Sequence, residues 1–285
     1  LDQLTLTGTT TACAFGSVHK ASAEALFAAA ESRGMALLAG KVMMDRNAPD
    51  TVLDDAQSSY DDSRALIERW HRRGRLEYAI TPRFAITSTP EQLRAAGTLA
   101  AENPGMAIQT HLSENHAEIE LTLQLYPEAR DYLDIYDRFG LLGPRSLMGH
   151  SIHLSARETA RMAETGTRAI HCPTSNLFLG SGLFDDHAMR AAGVVTGVAT
   201  DIGGGTSWSM LATLAEAYKI AQLRGRRMHP LAAFHWATRG NAIALGMEDR
   251  IGSVQPGRFA DLVVLDPRAT QAMRLRHDKV DSLMQ

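Results

Sequence analysis

The chain has little cysteine: Cys13 and Cys172 are its two thiols in 285 residues, and neither belongs to a CxxC pair. A disulfide framework and a thiolate zinc site are therefore not expected, and the composition suits a reducing, cytoplasmic compartment. Charge of one sign is lacking too, because 29 basic residues against 32 acidic ones leave a formal charge of -3. That balance gives no electrostatic footprint for nucleic acid or an anionic membrane. Apolar stretches such as 25–30 and 194–199 are short and interrupted. They fall well below the roughly 18 to 20 residues a spanning helix needs, so a soluble protein is expected. No GxGxxG follows any apolar run, no Pro-rich or Ser-rich segment could serve as a linker, and no internal repeat is visible. Neither an initiator Met nor a leader with a basic start and apolar centre is present, so residue 1 reads as a cut through a longer chain.

What is present is a core-forming composition, 45% hydrophobic and 21% charged. Short apolar runs of strand length occur at 9–15, 36–42, 76–81, 107–111, 146–150, 168–171 and 194–200. Between them lie segments with helical spacing. In 60–73 the spacing puts Leu66, Ile67 and Trp70 on one face, in 90–102 it does the same for Leu93, Ala96 and Leu99, and 21–33 is rich in Ala, Leu and Glu. Thr89 ahead of Pro90 reads as a helix N-cap, and Ser155 three residues before Glu158 as a capping box. Alternating strands and helices imply an α/β fold with parallel strands. The length favours a TIM (β/α)8-type barrel, which typically takes about 250 residues, over an open sheet. Seven runs are one short of closure, and the missing strand is most simply the first. After a helical stretch at 230–244, the Pro256-Gly257 turn leads into an apolar run bounded by Asp261 and Asp266, which reads as a strand outside the barrel.

Barrel enzymes carry their sites at the C-terminal strand ends. The polar residues that end these runs are Arg83, His111, His150, His171 and Asp201, expected to converge on one rim. His111 opens Thr-His-Leu-Ser-Glu, which lets Glu114 reach back over whatever the imidazole binds. An imidazole, a second histidine and an aspartate suit Zn2+, with Fe2+ as runner-up, and Glu114 would be a general base and acid outside the ligand shell. The plainer alternatives stay open: a satisfied core histidine for His150, and a turn or N-cap aspartate for Asp201. His171 is read as opening a loop in which Ser175 and Asn176 cap or bond to backbone. Arg83 and Phe84 suit a planar heterocycle with a carbonyl, against a surface arginine paired with a carboxylate. His71, His116 and His187 read as solvated faces.

Together these motifs resemble a known set. TPRF (81–84), THLSEN (110–115), GHSIHLS (149–155), HCPTSNLFLGSGLF (171–184) and ATDIGGGTSWSML (199–211) are similar to the metal-dependent amidohydrolase superfamily and, within it, the guanine deaminase family. GTTTACAFG (8–16) and GKVMMDRNAP (40–49) fit the same family, and 252–266 resembles a strand these proteins add to a small β-sandwich. The resemblance implies an incomplete barrel over 1–250, and over 251–285 a strand of the second domain plus a tail. It implies that His111 and Asp201 bind zinc, that Glu114 shuttles protons, and that His150 contacts the activated water or the substrate. Arg83 and Phe84 are implied to hold the purine, together with His111, Glu114 and Asp201. The implied reaction is hydrolysis of guanine to xanthine and ammonia, and dimers are common in the family. The family takes two further zinc ligands from an HxH after the first barrel strand, and this sequence contains no HxH. That motif is expected before residue 1, so the chain as written should bind zinc poorly and be inactive. Two alternatives remain: an aminohydrolase or chlorohydrolase acting on another purine, a pterin or a triazine, and a metal-free amidohydrolase-like interaction module.

Overall fold

A computed structural model describes residues 1–269 and 271–275. Each expected apolar run contains a strand: β1 Thr11–Phe15, β2 Ala36–Gly40 with β3 Val42–Met43, β4 Leu76–Pro82, β5 Ala107–Leu112, β6 Ser146–His150, β7 Arg168–His171 and β8 Thr196–Val198. All pairings are parallel, in the order β1-β2-β4-β5-β6-β7-β8, with β3 against the end of β4. The second run is broken at Lys41, whose amide donates to the Tyr78 hydroxyl at 3.2 Å. Gly40 passes so close to β4 that a Cβ there would lie 1.9 Å from the Ala79 carbonyl oxygen.

The sheet is strongly curled. β1 and β5 are three inter-strand steps apart, which on a flat sheet would be roughly 14 Å. Gln109 of β5 nevertheless donates to the Ala14 carbonyl of β1 at 2.9 Å and to Thr81 Oγ1 at 3.0 Å. The strands therefore enclose most of a barrel, and among the described residues β1 and β8 pair on one side only.

Side chains alternate between the two faces of the curled sheet, as the two-residue period of strands requires. Ala36, Leu38, Ala79 and Ala107 pack on the inside with Ala242, Met247 and Ile251. Leu37, Tyr78, Ile80, Ile108 and Met148 face the helices, where Phe27, Leu66, Trp70, Leu93 and Leu99 cover them. The helix Pro90–Glu102 is capped by Thr89, which accepts from Gln92 N, and Ala156–Thr165 by the Ser155 and Glu158 capping box. The stretch from 230 is helical through Leu245, with a π-helical turn over Trp236–Gly240.

At the N-terminal end of the strands, Glu77 is buried and bonded to both Arg145 and Arg250. Burial alone would push its carboxyl up, but the two guanidiniums outweigh burial and hold it below its ordinary value of 4.5. The ionised form is thus favoured in the folded state. The resulting stability is complete above the unfolded value and is lost as pH falls through the folded one. Glu77→Gln is expected to destabilise the protein at neutral pH by about 3 kcal/mol, the low end for breaking a buried pair, because both arginines keep some solvent contact. Its stability should fall less than the parent's below about pH 4.5, and urea melts at several pH values test this. Equal acid sensitivity in both proteins would count against it.

One expectation fails. Residues 261–266 form no strand ladder among the described residues. Among the described residues no strand pairs with them, and Val264 is 95% exposed. The segment is tied to the barrel through side chains: Asp261 pairs with Arg75, whose guanidinium lies 4.2 Å from the centre of the Phe259 ring. The rest of the tail, 276–285, lies outside the described residues.

Candidate active site

The strands share one direction, so their C-terminal ends gather on one side. His111 ends the inward row Ala107, Gln109, His111 of β5. Its Nδ1 donates to the Arg83 carbonyl oxygen at 2.8 Å, a contact that fixes the tautomer and leaves Nε2 free. The rings of Phe15 and Phe84 flank it, with centroids at 4.8 and 5.7 Å.

His150 is the register partner of Leu112, and a regular strand would turn both toward the helices. Instead its backbone is left-handed, with φ 67°, where the chain leaves the ladder. Gly149 permits the close approach, since a Cβ there would stand 3.3 Å from the Thr110 carbonyl oxygen. His150 Nδ1 accepts from Asn176 Nδ2 at 2.9 Å, which leaves the proton on Nε2. Nε2 lies 3.6 Å from Glu114 Oε2 and 4.0 Å from Asp201 Oδ2. Its ring centre is 5.2 Å from that of His111.

Glu114 precedes the helix His116–Leu125, whose N-cap is Asn115. Glu118 Oε2 accepts the Glu114 amide at 2.7 Å, so the backbone is pinned while the carboxylate projects to the rim. Asp201 follows β8 with φ 49°, and the three glycines after it let the loop fold back. A Cβ at Gly205 would lie 2.0 Å from the Thr200 carbonyl oxygen.

Burial lowers the pKa of both imidazoles. For His111, burial and then the neighbouring His150 bring it to about 4. His150 is also lowered by burial, partly opposed by Asp201. Both shifts favour the neutral imidazole, the form that can offer a ring nitrogen to a metal ion.

Three of the expected rim residues meet the expectation of convergence: His111, His150 and Asp201, with Glu114 among them. Arg83 is at the same rim but exposed, its guanidinium 4.9 Å from the Phe84 ring centre. His171 does not join them. Its ring is sandwiched between Phe184 at 4.7 Å and Trp236 at 5.7 Å, toward the helical layer. The segment after it is no loop but the short helix Pro173–Phe178, in which Asn176 bonds to a side chain, His150, and not to backbone. His71 is no solvated face either, since its Nδ1 accepts from the Tyr78 amide at 3.1 Å. His116 stays exposed, its ring tilted against that of His153 with centroids 4.0 Å apart. The motif reading missed the carbonyl of Arg83, the amide of Asn176 and the ring of Phe15. None of these contacts leaves a spacing in the sequence.

The donors fit a borderline divalent cation. Neutral imidazole nitrogen and carboxylate oxygen are suitable ligands, and the Nδ1 bond of His111 orients its Nε2 as a metal-binding histidine requires. Among the described residues, donor atoms of His150, Cys172 and Asp201 lie within 4.8 Å of one another. Of these, Cys172 Sγ is directed to the Ile170 carbonyl oxygen at 3.6 Å.

A parallel sheet curled into most of a barrel, with histidines and carboxylates gathered at its C-terminal rim, defines the class: a (β/α)-barrel with a candidate metal site. The chain belongs to the amidohydrolase family, whose model matches residues 3–284. It is 51% identical over 284 residues to the guanine deaminase of Escherichia coli strain K12, covering 100% of this chain and 65% of that protein. A solved E. coli guanine deaminase structure superposes with a TM-score of 0.96 at 50% identity, covering 98% of this chain and 67% of that one. The structure of guanine deaminase from C. acetobutylicum with bound guanine in the active site gives a TM-score of 0.84 at 30% identity, over 90% and 62% of the two chains. A Xanthomonas campestris adenosine deaminase with bound zinc also gives 0.84, at 25% identity, over 99% and 63%. The chain thus spans about 65% of the length of its E. coli relative. No described helix is long and apolar enough to cross a membrane.

Proposed function

We propose that this chain carries the catalytic barrel of a guanine deaminase, which hydrolyses guanine to xanthine and ammonia. The observation that carries the reading is the pair of carboxylates, Glu114 and Asp201, that His150 Nε2 faces, in a chain half identical to a guanine deaminase along its whole length. Residues 1–250 are the barrel in this reading, and 251–285 belong to a small second domain.

His111 and Asp201 would hold Zn2+, with Fe2+ as runner-up. When bound, the metal lowers the pKa of water to roughly 7, so that hydroxide is available at neutral pH. Glu114 takes the proton from the attacking water and delivers it to the ring nitrogen next to the amine-bearing carbon. The oxygen adds to that carbon, Glu114 carries the remaining hydroxyl proton to the exocyclic amine, and the C–N bond breaks as the carbonyl forms, so that ammonia leaves. His150 donates from Nε2 to the attacking oxygen, a role its bond to Asn176 supports because Nδ1 is already occupied. Phe84 offers a face to the purine, and Arg83 a guanidinium to its carbonyl oxygen. Adenine presents an amino group where guanine has that carbonyl.

Ammonia release from guanine, adenine, a pterin and a triazine, measured on the full-length protein, tests the reading. Guanine is expected to be the best substrate. Arg83→Ala should lower kcat/KM for guanine by about 10- to 100-fold, the worth of one charge-assisted hydrogen bond, and should narrow the preference over adenine. An unchanged preference sinks the role of Arg83, while a better triazine or pterin substrate would move the protein to another aminohydrolase or chlorohydrolase. Release from none would favour an interaction module.

A further inference from the structure

We propose that Ser181 is a positioning residue for Glu114, fixing which of its two carboxylate oxygens carries the proton. The inference rests on the reading of Glu114 as the proton carrier. Ser181 is 7% exposed, and its hydroxyl donates to Glu114 Oε1 at 2.8 Å. The contact joins two segments 67 residues apart, so it is made by the tertiary fold alone.

Ser181 is itself held before it meets Glu114. Its amide donates to the Asn176 carbonyl oxygen at 2.9 Å, and its own carbonyl accepts from His153 Nε2 at 2.7 Å. The glycines on either side have φ of 68° and 139°, backbone that a side chain would strain. At Gly182 a Cβ would stand 3.0 Å from the His153 ring and from Ile152. The Gly-Ser-Gly turn is therefore built to bring this hydroxyl to one place.

The consequence is an asymmetric carboxylate. Oε1 is engaged by Ser181, and Oε2 is left facing His150 Nε2 at 3.6 Å. A proton taken up on Oε2 leaves the Ser181 bond to Oε1 in place, so the carboxyl group keeps its plane while the proton moves on and off. The segment 176–181 thereby serves both partners at once, Asn176 holding His150 and Ser181 holding Glu114.

The test compares the full-length protein with Ser181→Ala and Ser181→Thr. Ser181→Ala is expected to lower kcat by about 10- to 100-fold with KM unchanged, the range for a lost hydrogen bond to a charged group. Ser181→Thr keeps the hydroxyl and should recover most of the rate. Crystal structures of the metal-free parent and Ser181→Ala supply a readout independent of activity: the Glu114 carboxylate should rotate, and its separation from His150 Nε2 should change. If Glu114 keeps its orientation in Ser181→Ala, or kcat is unchanged, the proposal is overturned. If the parent deaminates nothing, the functional reading fails while the two crystal structures still decide the position of Glu114.

Discussion

Replacing Glu114 with glutamine is expected to slow deamination by about 100- to 10,000-fold, the range a positioned general acid and base contributes. Glutamine has nearly the same shape. Its carbonyl oxygen can still accept from the Ser181 hydroxyl, which lies 2.8 Å from Glu114 Oε1, so the packing should survive. What is lost is the ability to take up and release a proton beside His150. The defect should therefore appear in kcat, with KM and thermal stability close to the parent's. Steady-state ammonia release and a melting curve on the same preparation check this. A glutamine variant with parental kcat would remove Glu114 from the chemistry. A variant that loses kcat and stability together would point to a structural role for the carboxylate.

The second large effect concerns the metal. Asp201→Asn keeps the size of the side chain and removes its charge, at a position 4.0 Å from His150 Nε2. Losing even an outer partner of a metal ligand costs about 10- to 100-fold in affinity, so losing a ligand should cost at least about 100-fold. His111→Ala should behave alike, because the Nδ1 bond to Arg83 that orients the ring has no function without the ring. Made in the full-length protein, both variants are expected to emerge from zinc-containing buffer without stoichiometric metal and without activity, read by elemental analysis and ammonia release. His171→Phe supplies the contrast. Its imidazole lies between Phe184 and Trp236 on the helical side, so that variant should keep its metal. Full zinc occupancy in Asp201→Asn would show that the ligand shell is elsewhere.

Much of the barrel was legible from the sequence because its signals are local. Strand β5 reads as Ala-Ile-Gln-Thr-His-Leu with alternate residues inward, and the helix Pro90–Glu102 announces its start through Thr89 and Pro90. His111, His150 and Asp201 were found because each stands at or just past a strand end, and a barrel gathers those ends. The same rule misled for His171. It also ends a strand, but the rule does not say which way a side chain points, and this one turns toward two aromatic rings. The apolar run at 261–266 misled in another way. Its composition suits a strand, yet a strand exists only where a neighbour completes its hydrogen bonds.

The sequence by itself determined the order of strands and helices, the family, and the residue types at the rim, since period, capping and motif spacing act over a few residues. Only the tertiary structure decided which atoms of those residues face one another. The left-handed backbone at His150, the bond from Asn176 that sets its tautomer, and the hydroxyl of Ser181 on Glu114 all depend on contacts across the curled sheet. Such contacts join segments 26 and 67 residues apart, and their geometry follows from how the whole barrel packs.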